Sequence, residues 1–157
     1  MSNIKVVKAN IEDVPEIGKI AHQVAQIHYQ KAEKEFKKPT LKNQTAYIRK
    51  SVSDKDILVL KAVSDDKIVG YVVVYFNTYP AAYFQLNKRA FIGSIGVDSH
   101  YQRTGIGKVL LTGVEKEVKK RHISVVEVDY YSFNRAAESL YTRCGFVERK
   151  RYMSKFC

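Results

Sequence analysis

An apolar run, Phe91-Ile-Gly-Ser-Ile-Gly-Val97, is followed by Gln102-Arg-Thr-Gly-Ile-Gly107 and then by a helical pattern that opens with Lys108-Val-Leu-Leu. A strand, a tight glycine turn and a helix N-terminus in this order constrain the fold more than any other stretch of the chain. The turn leaves several backbone N–H groups without an intrahelical acceptor, and the positive end of the helix dipole lies beside them. Such a concavity holds phosphate. A Walker A loop would need glycine at Gln102 and Ser or Thr at Val109, and a dinucleotide fingerprint would need glycine at Leu110; both patterns are excluded.

The elements around this turn can be read from periodicity. The first residues, Met1 to Lys8, alternate as a strand does. Asp13-Val-Pro-Glu16 reads as a helix start, with Asp13 as N-cap and Glu16 closing a capping box. Ile17, Ile20, Ala21, Val24 and Ile27 then recur at helical spacing. A second, weakly marked helix is expected from Asn43 to Val52. Asp56 to Val63 and Lys67 to Phe76 are rich in Val, Ile and Tyr, and Ser64-Asp65-Asp66 separates them as a hairpin turn does. After the glycine turn, Ile106, Leu110, Val114 and Val118 form one stripe, with Lys116, Lys119 and Lys120 opposite. Ser124 to Asp129 is a strand, Asn134 to Arg143 a short helix capped by Asn134 and ended by Gly145, and Phe146 to Phe156 a closing strand. Hairpins come first and crossovers later, which predicts a mixed sheet in an α/β or α+β layered domain.

Length and charge narrow the function. A chain of 157 residues is expected to form one domain over 1–157. No apolar stretch is long enough to span a bilayer, and the N-terminus lacks the apolar core of a signal peptide, so the expected location is cytoplasmic with no membrane partner. Cys144 and Cys157 suggest neither a disulfide framework nor a metal site. Lys and Arg number 27 against 16 Asp and Glu, a net +11. That field favours anionic partners, either nucleic acid or a polyanionic small molecule. The basic clusters Lys37-Lys38, Lys119-Lys120-Arg121 and Arg149-Lys150-Arg151 are short and scattered, which disfavours nucleic acid.

Three ordered features carry a family resemblance: Gln102-Arg-Thr-Gly-Ile-Gly107, the preceding Ile95-Gly-Val97, and Asn134-Arg-Ala-Ala-Glu-Ser-Leu-Tyr-Thr-Arg-Cys-Gly-Phe146. Together they resemble the GNAT superfamily of acetyl-CoA-dependent N-acetyltransferases. The resemblance implies a mixed, mostly antiparallel central sheet, splayed between its fourth and fifth strands and flanked by helices. It implies acetyl-CoA as co-substrate, with no metal. The pantetheine arm would bond to backbone groups near Ile95 and Val97. The pyrophosphate would lie on Gln102, Arg103, Thr104, Gly105, Ile106, Gly107 and Lys108, where glycine at 105 and 107 lets backbone approach closely. Asn134 would lie near the pantetheine, although capping its helix alone explains an Asn there.

The same resemblance gives Tyr141 the role of general acid to the departing thiolate and places it with the cofactor-binding residues. The general base stays open. Glu127 and Asp129 share one strand face by alternation and border the expected wedge, as base or as ligands of the amine. His28 is a weaker candidate. Tyr75, Phe76, Tyr79, Tyr83 and Phe84 can box an amine by cation–π contact or simply pack the sheet. The expected reaction is direct attack of a primary amine, from a small molecule, peptide or protein, on acetyl-CoA in a ternary complex. A non-catalytic acyl-CoA-binding regulatory module is the alternative, and a homodimer is a further option.

Overall fold

A computed structural model describes residues 3–157. Five strands lie side by side in chain order: β1 (Lys5–Lys8), β2 (Leu58–Ser64), β3 (Lys67–Thr78), β4 (Lys88–Val97) and β5 (Val126–Val128). Neighbours from β1 to β4 are antiparallel, and β5 runs parallel to β4. The sheet is therefore mixed and mostly antiparallel, as expected. The helices are α1 (Val14–Lys31), α2 (Leu41–Ser53), α3 (Ile106–Lys120) and α4 (Arg135–Arg143). A parallel pair needs a crossover, which α3 supplies between β4 and β5.

Alternation along the strands fills two cores. Leu58, Leu60, Ala62, Val72, Val74, Ala90 and Ile92 face Ile106, Leu110, Leu111, Val114 and Val118 of α3 and Tyr141 of α4. Val59, Tyr71 and Val73 face Val14, Ile17, Ile20 and Ala21 of α1 and Ile48 of α2. Burying each such aliphatic side chain contributes about 1.5–3 kcal/mol before entropy is counted. The predicted α3 stripe is the one that packs. In α1 the stripe stops at Val24, and Ile27 stays exposed as the helix runs past the sheet.

One irregularity matters for the site. In the β3–β4 ladder Val73 pairs with Ser94 while Val74 pairs with Ile92, so Gly93 is an extra residue. A bulge of this kind bends its strand. The β4–β5 ladder runs from Ala90↔Val126 to Ile92↔Val128 and goes no further. The two strands therefore part where the bulge begins.

Four local expectations change. Asp13 does not cap α1; Asn10 caps a short 3-10 turn at Ile11–Asp13 in a reciprocal capping box with Asp13, whose carboxylate also takes Lys61 Nζ at 2.6 Å. Glu16 pairs with Lys19 instead of closing the box. The fifth strand is only Val126–Val128, shorter than Ser124 to Asp129. No strand forms from Phe146 to Phe156. Charged residues 148–151 interrupt alternation there, and Glu148 pairs with Arg151 at i,i+3, a spacing that an extended strand does not bring together. The expected first strand began at Met1; Met1 and Ser2 lie outside the described residues.

Candidate active site

The glycine turn leaves β4 through a 3-10 turn at Ser99–Tyr101 and enters α3 at Ile106. Thr104 donates its hydroxyl to the Tyr101 carbonyl and fixes the curve. Arg103 and Gly105 both have left-handed backbone, with φ of 63° and 86°. A non-glycine residue such as Arg103 in that region stores about 1–2 kcal/mol, a strain typical of functional loops. Among the described residues, the amides from Gln102 to Lys108 donate to no protein acceptor, the first helical bond being Val109 N–H to the Gly105 carbonyl at 3.1 Å. Gln102, Arg103, Thr104, Gly105 and Lys108 are exposed.

The two glycines of the turn do different work. A Cβ built on Gly105 meets nothing within 4 Å, so the space before it is open and its requirement is torsional. A Cβ on Gly107 would come within 2.9 Å of Leu140 Cδ2. Gly107 is thus where α4 docks on the first turn of α3, and its open side faces protein.

Ile95 and Val97 pair with Val72 and Gly70 of β3 on one side, while on the other side β5 has already ended. Their side chains pack against the α3 core. Beyond Ile92 the edge of β4 on the β5 side therefore has no partner strand, from the bulge at Gly93 to the open amides of the turn. On α4, Tyr141 is 4% exposed. Burial, with the Asp129 carboxylate as a second cause, raises its phenol well above the ordinary range. Among the described residues the Tyr141 hydroxyl has no hydrogen-bond partner, yet it is not sealed in: the only fully occluded side-chain polar atom without a partner among them is His22 Nδ1. Asn134 accepts from Ala137 N–H at 3.1 Å and so caps α4.

The two candidate carboxylates are differently placed. Glu127 is held by Arg89 Nη1 through one oxygen and receives the Tyr79 hydroxyl at 3.4 Å on the other. Arg89 also donates to the Leu86 carbonyl at 2.9 Å and lies over the Tyr79 and Phe84 rings, 5.4 and 4.7 Å from their centroids. This clamp ties the β3–β4 loop to β5 and occupies Glu127. Asp129 forms no ion pair or hydrogen bond among the described residues and lies in range of Tyr141 and Tyr131.

Of the aromatics expected to box an amine, only Tyr79 and Phe84 meet, with centroids 5.3 Å apart. Arg89 covers Tyr79 and Phe84, Arg121 lies 4.2 Å over Phe76, Tyr75 lies against Gly93, and Tyr83 is 84% exposed. A different aromatic group forms instead, from His28, Phe36, Tyr131 and Phe133, with centroids 5.1–5.9 Å apart. It joins the end of α1 to the segment between β5 and α4. His28 is fixed there through Nδ1 and the Val24 carbonyl, 2.9 Å apart. Of this group the sequence pointed to His28; Tyr131, Glu35 and Ser94 carried no such signal, Glu35 accepting from the Tyr131 hydroxyl and Ser94 Oγ lying 2.6 Å from the Tyr71 hydroxyl.

No group of three or more His, Cys, Asp or Glu that could hold a metal ion occurs among the described residues. No helix among them is long and apolar enough to cross a membrane.

Fold and site define an α/β protein whose mixed sheet parts between β4 and β5 beside a glycine turn with open amides. Residues 21–146 match the acetyltransferase (GNAT) family, and the chain belongs to that family. GNAT acetyltransferases use acetyl-CoA as co-substrate. The chain is 37% identical over 59 residues to the [ribosomal protein bS18]-alanine N-acetyltransferase of Escherichia coli K12, a match covering 38% of this chain and 40% of that protein. The alignment thus spans about two fifths of the curated relative's length. Among solved structures, a mutant of the BH1408 protein from Bacillus halodurans superposes with TM-score 0.90 at 22% identity, covering 98% of this chain and 99% of that one. A ribosomal-protein-alanine N-acetyltransferase from Brucella melitensis gives 0.74 at 18% identity, covering 99% and 100%. An aminoglycoside N-acetyltransferase in complex with CoA gives 0.80 at 13% identity, covering 100% and 96%. At these identities the likeness is one of fold.

Proposed function

We propose that this chain is a single acetyltransferase domain, spanning 1–157, that moves the acetyl group of acetyl-CoA to a primary amine in a ternary complex. The observation that carries the reading is the coincidence of three features: β4 and β5 part after Ile92, the amides of Gln102 to Lys108 lie open at the end of β4, and Tyr141 of α4 packs in the core on the α3 side of the sheet with an unpartnered hydroxyl. The pyrophosphate takes those amides, with Arg103 and Lys108 adding charge. The pantetheine arm takes the free edge at Ile95 and Val97 as an added strand, passing Asn134.

The α3 and α4 side is then filled by the thioester, and the amine approaches from the α1 and α2 side. Its nitrogen attacks the acetyl carbonyl, the N–C bond forms, and the C–S bond breaks. Tyr141 gives its proton to the departing sulfur, the developing thiolate drawing it from the buried phenol. The ammonium loses two protons on becoming an amide: one goes to Asp129 or a water it holds and on to solvent, since Glu127 is engaged by Arg89, and the other restores the Tyr141 phenol. CoA is a polyanion that does not cross bilayers unaided, so the reaction belongs where acetyl-CoA is made, in the cytoplasm, with no membrane or nucleic-acid partner; a homodimer is compatible with this reading.

Thiol release from acetyl-CoA, measured over a panel of primary amines that includes an N-terminal alanyl peptide, tests the activity. Turnover with at least one amine is expected, and Tyr141→Phe should lower kcat by roughly ten- to several-hundred-fold while acetyl-CoA still binds. Stoichiometric binding of acetyl-CoA without thiol release over the whole panel would identify a non-catalytic acyl-CoA-binding module instead.

A further inference from the structure

The bulge does more than bend β4; it resets which face each side chain takes. Ile92 packs in the α3 core, and after the extra residue Ile95 and Val97 pack there too. Ser94 pairs with Val73, which faces α1 and α2, so Ser94 takes that face. Its Oγ lies 2.6 Å from the hydroxyl of Tyr71 on β3, itself a member of the core under α1 and α2. Ser94 is half-buried and Gly93 beside it is exposed, so the strand is accessible at this point.

The direction of that hydrogen bond follows from burial. Tyr71 is 1% exposed, and Ser94 is the partner its hydroxyl has among the described residues. Were Ser94 the donor, the phenol proton would be left without an acceptor inside the core, a cost that native structures avoid. Tyr71 therefore donates, and burial, which pushes its phenol up to about 12, keeps the proton in place at neutral pH. The neighbouring phenol of Tyr75 is engaged elsewhere, 3.1 Å from the Tyr47 hydroxyl. Ser94 is left with its own O–H to give, and a hydroxyl that accepts one bond gives the next more strongly.

The place of Ser94 along β4 selects what receives it. The free edge of β4 runs from the glycine turn back to Gly93 and closes where β5 pairs with Ile92. A pantetheine arm laid along Val97 and Ile95, from a pyrophosphate on the turn, brings its thioester to that closed end, beside Ser94. With the sulfur toward Tyr141 and the amine arriving from the α1 and α2 side, the carbonyl oxygen has a direction open toward β4. Negative charge grows on that oxygen as the N–C bond forms, and a donor already aimed there stabilises it without reorganising.

Resting on the acetyltransferase reading above, we propose that Ser94 is a catalytic residue whose hydroxyl donates to the thioester carbonyl oxygen, and that Tyr71 is the positioning residue that orients it. No proton is transferred at this contact; both hydroxyls keep their O–H bonds, and the charge on the oxygen is relieved when the C–S bond breaks.

Ser94→Ala should lower kcat by about hundredfold or more, the size of one lost oxyanion donor, with KM for acetyl-CoA nearly unchanged. It also leaves the buried Tyr71 hydroxyl unpartnered, so a double variant, Ser94→Ala with Tyr71→Phe, separates folding from chemistry. The urea midpoint of the double variant should rise above that of Ser94→Ala, while its kcat stays as low. Tyr71→Phe alone should lower kcat by less, and the two effects should not multiply, because Tyr71 acts only through Ser94. Recovery of wild-type kcat in the double variant, or effects that multiply, overturns the proposal. Infrared difference spectra of acetyl-CoA isotopically labelled at the carbonyl carbon, bound without amine, read the contact independently of turnover. The thioester carbonyl band should lie at lower wavenumber on the wild type than on Ser94→Ala, and equal bands overturn the proposal. Absence of thiol release with every amine overturns the acetyltransferase reading instead, and the infrared comparison still decides on Ser94.

Discussion

At the scale of single residues, identical side chains answer to different physics a few positions apart. Gly105 and Gly107 belong to one motif, yet Gly105 has a φ of 86° with open space before it, whereas Gly107 lies against Leu140. Gly105→Ala should cost about 1–2 kcal/mol of stability through its torsion and weaken acetyl-CoA binding, because its Cβ stands where the pyrophosphate approaches. Gly107→Ala should cost about 1 kcal/mol by pressing Leu140 and change affinity less. Urea unfolding and calorimetric binding of acetyl-CoA to both variants check this; equal affinity loss at the two positions would remove the distinction. The motif was legible from spacing alone, but the division of labour was not, because Leu140 is distant in sequence. Asn134 is a similar case: capping is visible in its hydrogen bond to Ala137 and was legible from its place before a helix. Glu127 is the opposite case. Alternation put it at the wedge, and nothing local announced that Arg89 would cancel it.

At the scale of elements, the site depends on one inserted residue. Gly93 lets β4 bulge where β5 departs, and the Tyr75 ring fills the space a side chain would take. Tyr75 cannot swing away freely, because its hydroxyl meets that of Tyr47 on α2 at 3.1 Å. Gly93→Ala should therefore displace Tyr75 or flatten the bulge. We expect a stability loss of about 1–3 kcal/mol and a fall in kcat/KM of at least roughly tenfold, since small misplacements of reacting groups are expensive in rate. Adding Tyr75→Leu should recover much of the stability. Wild-type turnover in Gly93→Ala would detach the bulge from the chemistry. Glycine in a strand hinted at a bulge, but the register that defines it exists only between two strands. The C-terminal segment shows the converse: Phe146 to Phe156 has strand-like residues, yet its charged centre pairs within itself through Glu148 and Arg151.

For the whole molecule, two cores on opposite sheet faces bury tyrosines whose ionisation the fold resists. Burial pushes Tyr71 up to about 12 from 10.0, and it also raises Tyr141 and Tyr47. A phenol ionises more readily in the unfolded chain than in these sites, so their contribution to stability is fully present below pH about 10 and is lost as pH rises from there toward about 12. Tyrosinate absorbance should resolve a late class, from the buried phenols, that appears only as the urea midpoint falls. One titrating class with a flat urea midpoint would contradict the burial. The order of elements, the helix stripes and the glycine turn were set by the sequence itself, because periodicity, capping and glycine torsions are local and act on neighbours in the chain. Tertiary structure alone decided that β4 and β5 part after Ile92, that Arg89 neutralises Glu127, and that Glu35 meets Tyr131 from 96 residues away. Those are relations of register and charge between remote segments, and they have no value until the sheet and its helices bring the segments together.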